Sequence, residues 1–528
     1  MIVTSTEAVV DQREPADSRP RLGWMLYLSA AVPPMLALWQ VIRGTRQHVL
    51  LDYWHVLAKV TADDGSLQPA MAATYHLEQP FVLPSLIFWL DARVLGGDNR
   101  VLGVLTLLLL VGVVAALGSM LPRSLPRPLL VAGFSLLVFT PHAIELWAQA
   151  TNGISWAPAV FLSVLAIACA HHGRIWPSYV AAGLGTLSFG TALPVWFALA
   201  LVAWIRGESR RRVAVPAAVG VVVIVLWLAS KPTGQNSLAT SAFDPSGRLA
   251  VVSAALGSLW TSKGPDLAVI AGGGLLVAVA LLTLGRLRPR EAGWVGLAGY
   301  AVAVACLIGL GRTTAGENIG LVSRYSIVAA LATCAVIGLV AMRETVRVRH
   351  LAAGVLAIGL ITHAIGAPKA ADVRRAYAPL EVADTALRVE APGALAELRI
   401  NSGVIPAAKA LGMEPFTGDF ALGCGFTLGD RVDLRSIREL PAGAGVVDTK
   451  MGEDRVQSGW TAVEGHAAEC VLVVDDAGAL VGGGIAGLAH PGVPWEAGWR
   501  AVARPDSANP AIVAVVDGNL YRVDNDVS

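Results

Sequence analysis

The sequence predicts a polytopic α-helical membrane protein of about eleven spans. A C-terminal extracytoplasmic domain follows, rich in β-strand and of jelly-roll or sandwich type. Three observations carry this prediction. Of 528 residues, 55% are hydrophobic and only 15% charged, where a soluble domain carries about 25% charged residues. The mean hydropathy is +0.59. Charge is also divided along the chain: residues 368–528 hold 22 acidic and 14 basic side chains, and the remainder holds 17 acidic and 26 basic. Such a composition excludes a disordered chain, a nucleic-acid-binding protein and nearly every soluble enzyme of this length.

A helix crosses the hydrocarbon in roughly 20 mainly apolar residues. Runs of that kind lie near residues 22–42, 101–120, 128–141, 154–171, 176–188, 191–206, 212–230, 266–286, 292–311, 322–342 and 350–366. The sequence Ser188-Phe189-Gly190-Thr191 divides 176–206 into two spans. Alternate loops are rich in arginine: Arg123 and Arg127; Arg174; Arg206, Arg210, Arg211 and Arg212; Arg286, Arg288 and Arg290; Arg343, Arg347 and Arg349. The positive-inside rule places these loops, and a tail of residues 1–21 bearing Arg13, Arg19 and Arg21, on the cytoplasmic side. An odd number of spans then puts residues 367–528 outside the cell membrane. The membrane domain covers residues 22–366, and its first outer loop, 43–100, is far longer than a simple connection needs. Pro33 and Pro34 interrupt the first run, which reads as a retained anchor and not a cleaved signal.

Within that loop, Phe81–Leu95 reads as a helix lying in the interface, with Trp89 at headgroup level and Asp91 and Arg93 facing water. Tyr53–Val60 reads as a second such helix, and residues 370–411 as helical chain leading off the membrane. After Phe416, apolar runs of period two at 444–448, 460–463, 470–474, 479–481, 499–503, 511–516 and 520–523 are separated by Gly, Asp and Pro. Cys169, Cys306 and Cys334 fall inside spans. Cys424 and Cys470 are the two cysteines of the outer domain, where oxidising conditions permit a disulfide or two free thiols.

The leading candidate for chemistry is Asp52 in Leu50-Leu51-Asp52-Tyr53-Trp54-His55, just after the first span. Desolvation among apolar neighbours is expected to raise its pKa toward that of a general base; an aspartate there is also a common helix cap. His76 and Glu78, two residues apart in Thr74-Tyr75-His76-Leu77-Glu78-Gln79, point to one side if the segment is extended and would face Asp52. His55 and Glu145 are candidates for positioning an acceptor, with Asn152 beside Glu145. A divalent cation held by these carboxylates is an open possibility, although two residues are not a ligand set. Arg312, Arg324 and Tyr325 lie at the outer ends of two spans, in Gly311-Arg312 and Ser323-Arg324-Tyr325-Ser326. Arginine at that depth is costly without a partner, and a lipid phosphate is one that guanidinium grips in bidentate fashion. Snorkelling to ordinary headgroups is the alternative.

Together these features resemble the GT-C superfamily of polytopic glycosyltransferases. The likeness rests on the long first outer loop with Asp52, its interfacial helices, and the outer β-domain. The stretch from Glu78-Gln79-Pro80 through Pro84 and Asp91 to Gly96-Gly97 is similar to an "EHR…P…D…GG" segment of some bacterial members, and Gly311-Arg312…Ser323-Arg324-Tyr325 to their "GR…SRY" segment. The chain departs from that pattern at Gln79 and in having Asp52-Tyr53 where a paired acid opens the loop. The resemblance implies inverting sugar transfer from a polyprenyl-phosphate donor to an envelope glycan or another acceptor. Asp52 would be the base, assisted by Glu78. Arg324, Arg312 and Tyr325 would bind the donor phosphate, and His76, His55 and Glu145 would position the acceptor. Trp460, Trp495 and Trp499 would stack on sugar rings or pack the outer domain. Two rival classes remain: a transporter or flippase of a lipid-linked substrate, for which no internal repeat is visible, and a non-catalytic scaffold for envelope assembly.

Overall fold

The computed structural model describes residues 20–44, 49–50, 52–123, 127–232, 244–311, 319–343, 348–418, 420–448, 455–493, 496–507 and 510–523. Arg312 and Trp495 lie outside the described residues. The structure is mostly helical (63%) and has a C-terminal sheet shaped as a half-barrel among the described residues.

A helix stands at each of the eleven apolar runs. In chain order the helices are α1 (Pro20–Gly44), α2 (Asp52–Val60), α3 (Pro69–Ala72), α4 (Val82–Val94), α5 (Asn99–Ser119), α6 (Arg127–Val138), α7 (Glu145–Ala148) and α8 (Ala150–His171). Then come α9 (Ile175–Thr186), α10 (Val195–Ile205), α11 (Arg210–Ser230), α12 (Pro245–Gly257), α13 (Asp266–Thr283), α14 (Ala292–Leu310), α15 (Ser326–Ala341) and α16 (Val348–Tyr377). Short helices α17 (Ala383–Arg388), α18 (Pro392–Glu397) and α19 (Ile405–Leu411) lead to the sheet. Among the described residues, seven helical segments, those of α5, α8, α11, α13, α14, α15 and α16, are long and apolar enough to cross a membrane.

Helices α8 and α15 form the centre of the bundle, with 72% and 83% of their most apolar windows buried; the corresponding figure for α11 and α13 is 11%. Apolar helices left this bare, with residues such as Val222, Leu226, Ile270 and Leu281 exposed, need an apolar surrounding to cover them. Gly338 on α15 admits the buried ring of Trp294, which a Cβ would approach to 2.2 Å. At one end of the bundle the basic loops tie helices together. Arg206 donates to the carbonyl of His171, Arg290 to that of Met342 at 2.8 Å and Arg343 to that of Leu282 at 2.8 Å.

Two features depart from the sequence reading. Helix α12 lies in what was expected to be an outer loop; Asp244 caps it by accepting from the Gly247 N–H, and Pro245 opens its first turn. Helix α16 runs unbroken through Pro368 to Tyr377, beyond the expected end at residue 366. At the opposite end from the arginine contacts, α2 and α4 share one core with α17, α18 and α19, built on Tyr53, Leu57, Phe88, Leu387, Leu395 and Ile405. The first loop thus packs against chain that follows the last span.

The sheet is built from β1 (Arg438–Glu439), β2 (Gly445–Val447), β3 (Gln457–Val463), β4 (His466–Ala467), β5 (Cys470–Val474), β6 (Leu480–Leu488), β7 (Gly498–Ala503), β8 (Ala511–Val516) and β9 (Asn519–Val523). The order is β1-β9-β8-β5-β6-β7-β3-β2, with β4 paired to β3. Every pairing is antiparallel except β1 with β9. All seven period-two runs are strands, but they make one sheet and not a two-sheet sandwich. Val471, Val473, Trp499, Ala501 and Ala514 fill one face. The other face at β5 and β8 is covered by irregular chain carrying Phe420, Leu422, Phe426 and Val432. A second sheet is therefore unnecessary to bury both faces.

Cys424 and Cys470 form a disulfide that pins this covering chain to β5. Cys424→Ser is expected to destabilise the sheet unit by about 2–4 kcal/mol, measured as a lower denaturant midpoint for burial of Trp499. An unchanged midpoint would contradict the structural role.

Candidate functional site

The functional candidates gather at the end of the bundle away from the arginine contacts. Asp52 occupies the first turn of α2, and its Oδ2 lies 3.6 Å from Nε2 of His76. His76 opens a tight turn closed by two backbone hydrogen bonds with Gln79, each 3.0 Å, with Leu77 at φ 52° between them. This left-handed residue overturns the expectation of an extended segment. His76 turns to Asp52, whereas Glu78 turns away to Lys231 at the end of α11, 3.3 Å distant. The same anchor is completed by Trp227 donating to the Glu78 carbonyl at 2.8 Å and by Tyr75 meeting Ser230 at 2.7 Å. The Gln79 side chain accepts from the Gly190 N–H at 3.1 Å, fixing the turn against the α9–α10 junction.

Arg324 sits in a turn (Ser323–Tyr325) that enters α15. Its guanidinium is ion-paired with Glu145, which opens α7 and is 2% exposed. Glu145 is the hub of this end. It accepts from Asn152 at 2.8 Å, from the Tyr377 hydroxyl at 2.8 Å and from the Arg324 backbone N–H at 3.2 Å. Ser323 joins in, accepting from the Glu145 N–H at 3.2 Å and donating to the His142 carbonyl at 2.6 Å. Asn99 fixes the neighbouring chain by bonding Ala148 and Ala150 at 3.2 and 3.0 Å. A carboxylate so fully engaged is a counter-ion for Arg324, not a group with spare valence for an acceptor. Arg324 keeps a quarter of its side chain exposed.

A wall of aromatic rings connects the two halves of the site. From His76 it passes to Phe81 (5.0 Å between centroids), to Phe189 (6.2 Å), to Trp156 (5.5 Å) and to Tyr325 (5.4 Å). The Arg324 guanidinium lies over the Tyr325 ring at 5.5 Å. Tyr325 itself is 2% exposed, so its ring supports the arginine from below. His55, one turn along α2 from Asp52, bonds the Arg399 carbonyl at 2.5 Å and docks α2 on the C-terminal helices.

The electrostatics of Asp52 reverse the expectation. Burial raises its pKa, but neighbouring His76 and the charges of His55 and Arg324 outweigh that and hold the carboxyl below its ordinary value. Asp91, expected in water, is buried, while Arg93 on the same helix is exposed. Trp89 is half-buried and bonds the Gly65 carbonyl at 3.2 Å. Burial and the charge of Asp98 push the Asp91 pKa up to about 7, offset in part by the Tyr53 hydroxyl, which donates to it at 2.8 Å. Sequence reasoning placed this acid in water; the signal for its burial was its place among apolar residues of a helix that must turn one face inward. It missed Tyr377, which no local pattern marks. Among the described residues no group of three or more His, Cys, Asp or Glu side chains converges to hold a metal ion.

Removing one partner of a buried ion pair typically costs about 3–5 kcal/mol. Glu145→Ala is therefore expected to lower stability by that amount, and Glu145→Ala with Arg324→Met by clearly less, as measured in a denaturation double-mutant cycle. Folding raises the proton affinity of Asp91, so its contribution is complete below about pH 4 and is lost as pH rises through about 7. Asp91→Asn should flatten that decline in stability, checked by thermal midpoints across the window. No protein-family model, curated protein or solved structure matches this chain.

Proposed function

We propose that the chain is an inverting glycosyltransferase of the cell membrane. It spans the bilayer eleven times, with the arginine-rich end cytoplasmic and the sheet outside, and takes a sugar from a polyprenyl-phosphate donor. The observation that carries this reading is the placement of a carboxylate held below its ordinary pKa and a partly exposed guanidinium at the same end of the bundle. Arg324 is near enough to Asp52 for its charge to help lower the carboxyl's pKa, and the two are joined by one aromatic wall. The bare apolar surfaces of α11 and α13 suit a lipid surrounding that would deliver the donor's headgroup to this depth.

The step is a single displacement. An acceptor hydroxyl oxygen bonds to the anomeric carbon as the bond from that carbon to the phosphate oxygen breaks, the electron pair leaving with the phosphate. Asp52 takes the hydroxyl proton. Its lowered pKa keeps it in the accepting form at neutral pH, and its weak basicity means that the proton moves late, once the attacking oxygen has become acidic. His76, in contact with Asp52, provides the route by which that proton leaves. Arg324 offers its exposed face to the departing phosphate as negative charge grows, while Glu145, Asn152 and Tyr377 hold the guanidinium in place. Glu78 anchors the loop through Lys231 in this scheme, and His55 holds α2 against the C-terminal helices.

The test is transfer from a panel of polyprenyl-phosphate sugars by the full-length protein in membranes. Asp52→Asn is expected to lower the rate by at least about 100-fold with donor binding retained, and Arg324→Lys to weaken both donor binding and turnover. Full transfer by Asp52→Asn would remove the base assignment, and failure of every donor with the wild type would remove the class.

A further inference from the structure

A cleft lies away from these residues, where the outer face of β3 and β7 meets the chain leaving α16. It encloses about 470 Å³ and is walled on one side by Pro379, a volume within the range of small-ligand sites. Ser458, Arg500, Asp448 and His490 line it, and Trp460 borders it beside His490. Ser458 on β3 is opposite Arg500 on β7, and Trp460, two residues along β3, projects to the same face as Ser458. The face beneath is sealed by Trp499, which is 1% exposed and bonds Thr461 at 3.1 Å. Trp499 is thus core and not a sugar platform, whereas Trp460 is half-buried.

The polar groups are built and oriented. His490 accepts the Gly492 N–H on Nδ1 at 3.0 Å, which leaves its proton on Nε2, and Nε2 lies 2.9 Å from Oδ2 of Asp448. The Asp448 carboxylate is thereby held at one oxygen with the other left for a ligand. Its main chain is fixed as well, the Asp448 N–H donating to the Ser458 carbonyl at 2.9 Å. Trp460 packs beside His490, 6.5 Å between centroids. Arg500, half-buried in the cleft lining, has no hydrogen-bond or ion-pair partner among the described residues. A guanidinium in a cleft wall with no protein counter-charge is open to an anionic ligand.

We infer that this cleft binds an acidic saccharide, a sugar bearing a carboxylate. Arg500 grips the carboxylate in the planar bidentate geometry that guanidinium favours. Asp448, steadied by His490, accepts from ring hydroxyls, and Trp460 offers an apolar ring to the sugar's C–H face. A simple anion uses only Arg500 and meets repulsion from Asp448. A neutral sugar leaves the guanidinium without its counter-charge. Only a ligand that offers a carboxylate to Arg500 and hydroxyls to Asp448 satisfies all three residues. The inference does not rest on the transferase reading, because it concerns binding alone and a different set of residues.

Calorimetric titration of the full-length protein in nanodiscs tests it, with trigalacturonic acid as probe against a neutral galactose trisaccharide of equal length. The acid is expected to bind at least tenfold more tightly. Arg500→Met should abolish that discrimination, Arg500→Lys should retain part of it, and Asp448→Asn should weaken both sugars, each variant keeping the wild-type thermal midpoint. Equal binding of the two trisaccharides would overturn the proposal. So would trigalacturonate affinity unchanged in both Arg500 variants, full competition by millimolar acetate or phosphate, or preference for an acetylated dipeptide carboxylate. None of these outcomes touches transfer activity at Asp52, so the two readings fail separately.

Discussion

The ion pair between Glu145 and Arg324 is the constraint on which this end of the molecule depends. A guanidinium set into the rim of an apolar bundle requires a counter-charge. The chain supplies one by folding residues 141–148 inward between α6 and α8. Once Glu145 is enclosed, its oxygens must themselves be satisfied, and the donors come from α8 through Asn152, from the entry to α15, and from the last residue of α16 through Tyr377. Three helices far apart in sequence are thereby brought to one point. The same arrangement leaves part of the guanidinium facing outward, which is what a phosphate site at membrane depth would need.

Much of the architecture was legible because an apolar helix is specified locally, by run length and apolarity: a helix stands at each of the eleven runs, and seven helical segments among the described residues are long and apolar enough to cross a membrane. Helix α12 escaped notice because it is short and contains Arg248. That residue is buried, with its guanidinium donating to the carbonyls of Gly309 and Leu310 at the end of α14. Its Asp244-Pro245 start was the available signal. Period-two runs located the strands but could not give the number of layers. That depended on irregular chain around Phe420–Ile437 covering the second face, for which sequence periodicity has no signature.

The site was legible in its membership more than in its wiring. Asp52, His76, Arg324 and Glu145 do assemble at one end, yet the partner of each was fixed by tertiary contacts. A single left-handed residue, Leu77, separates His76 from Glu78. Asp91, which reads as a surface acid by residue type, is enclosed because α4 must pack against α2 and α19. The Asp52 carboxyl was expected to gain basicity from burial alone. His76 and Arg324, from two other segments, together with His55 on the same helix, reverse the sign, and the charge that comes from distant segments is invisible to a local reading.

The joint core of α2 and α4 with α17, α18 and α19 has a consequence for how the molecule is assembled in time. As the chain emerges from the ribosome, the first loop is complete early, but its partners near residues 383–411 follow only after some three hundred further residues. Tyr53, Leu57 and Phe88 must wait, unsheltered, through the synthesis of every intervening helix. This end of the molecule can therefore mature only as a late event of biogenesis, and a nascent chain released before α17 would carry these unpaired apolar residues as an adhesive surface.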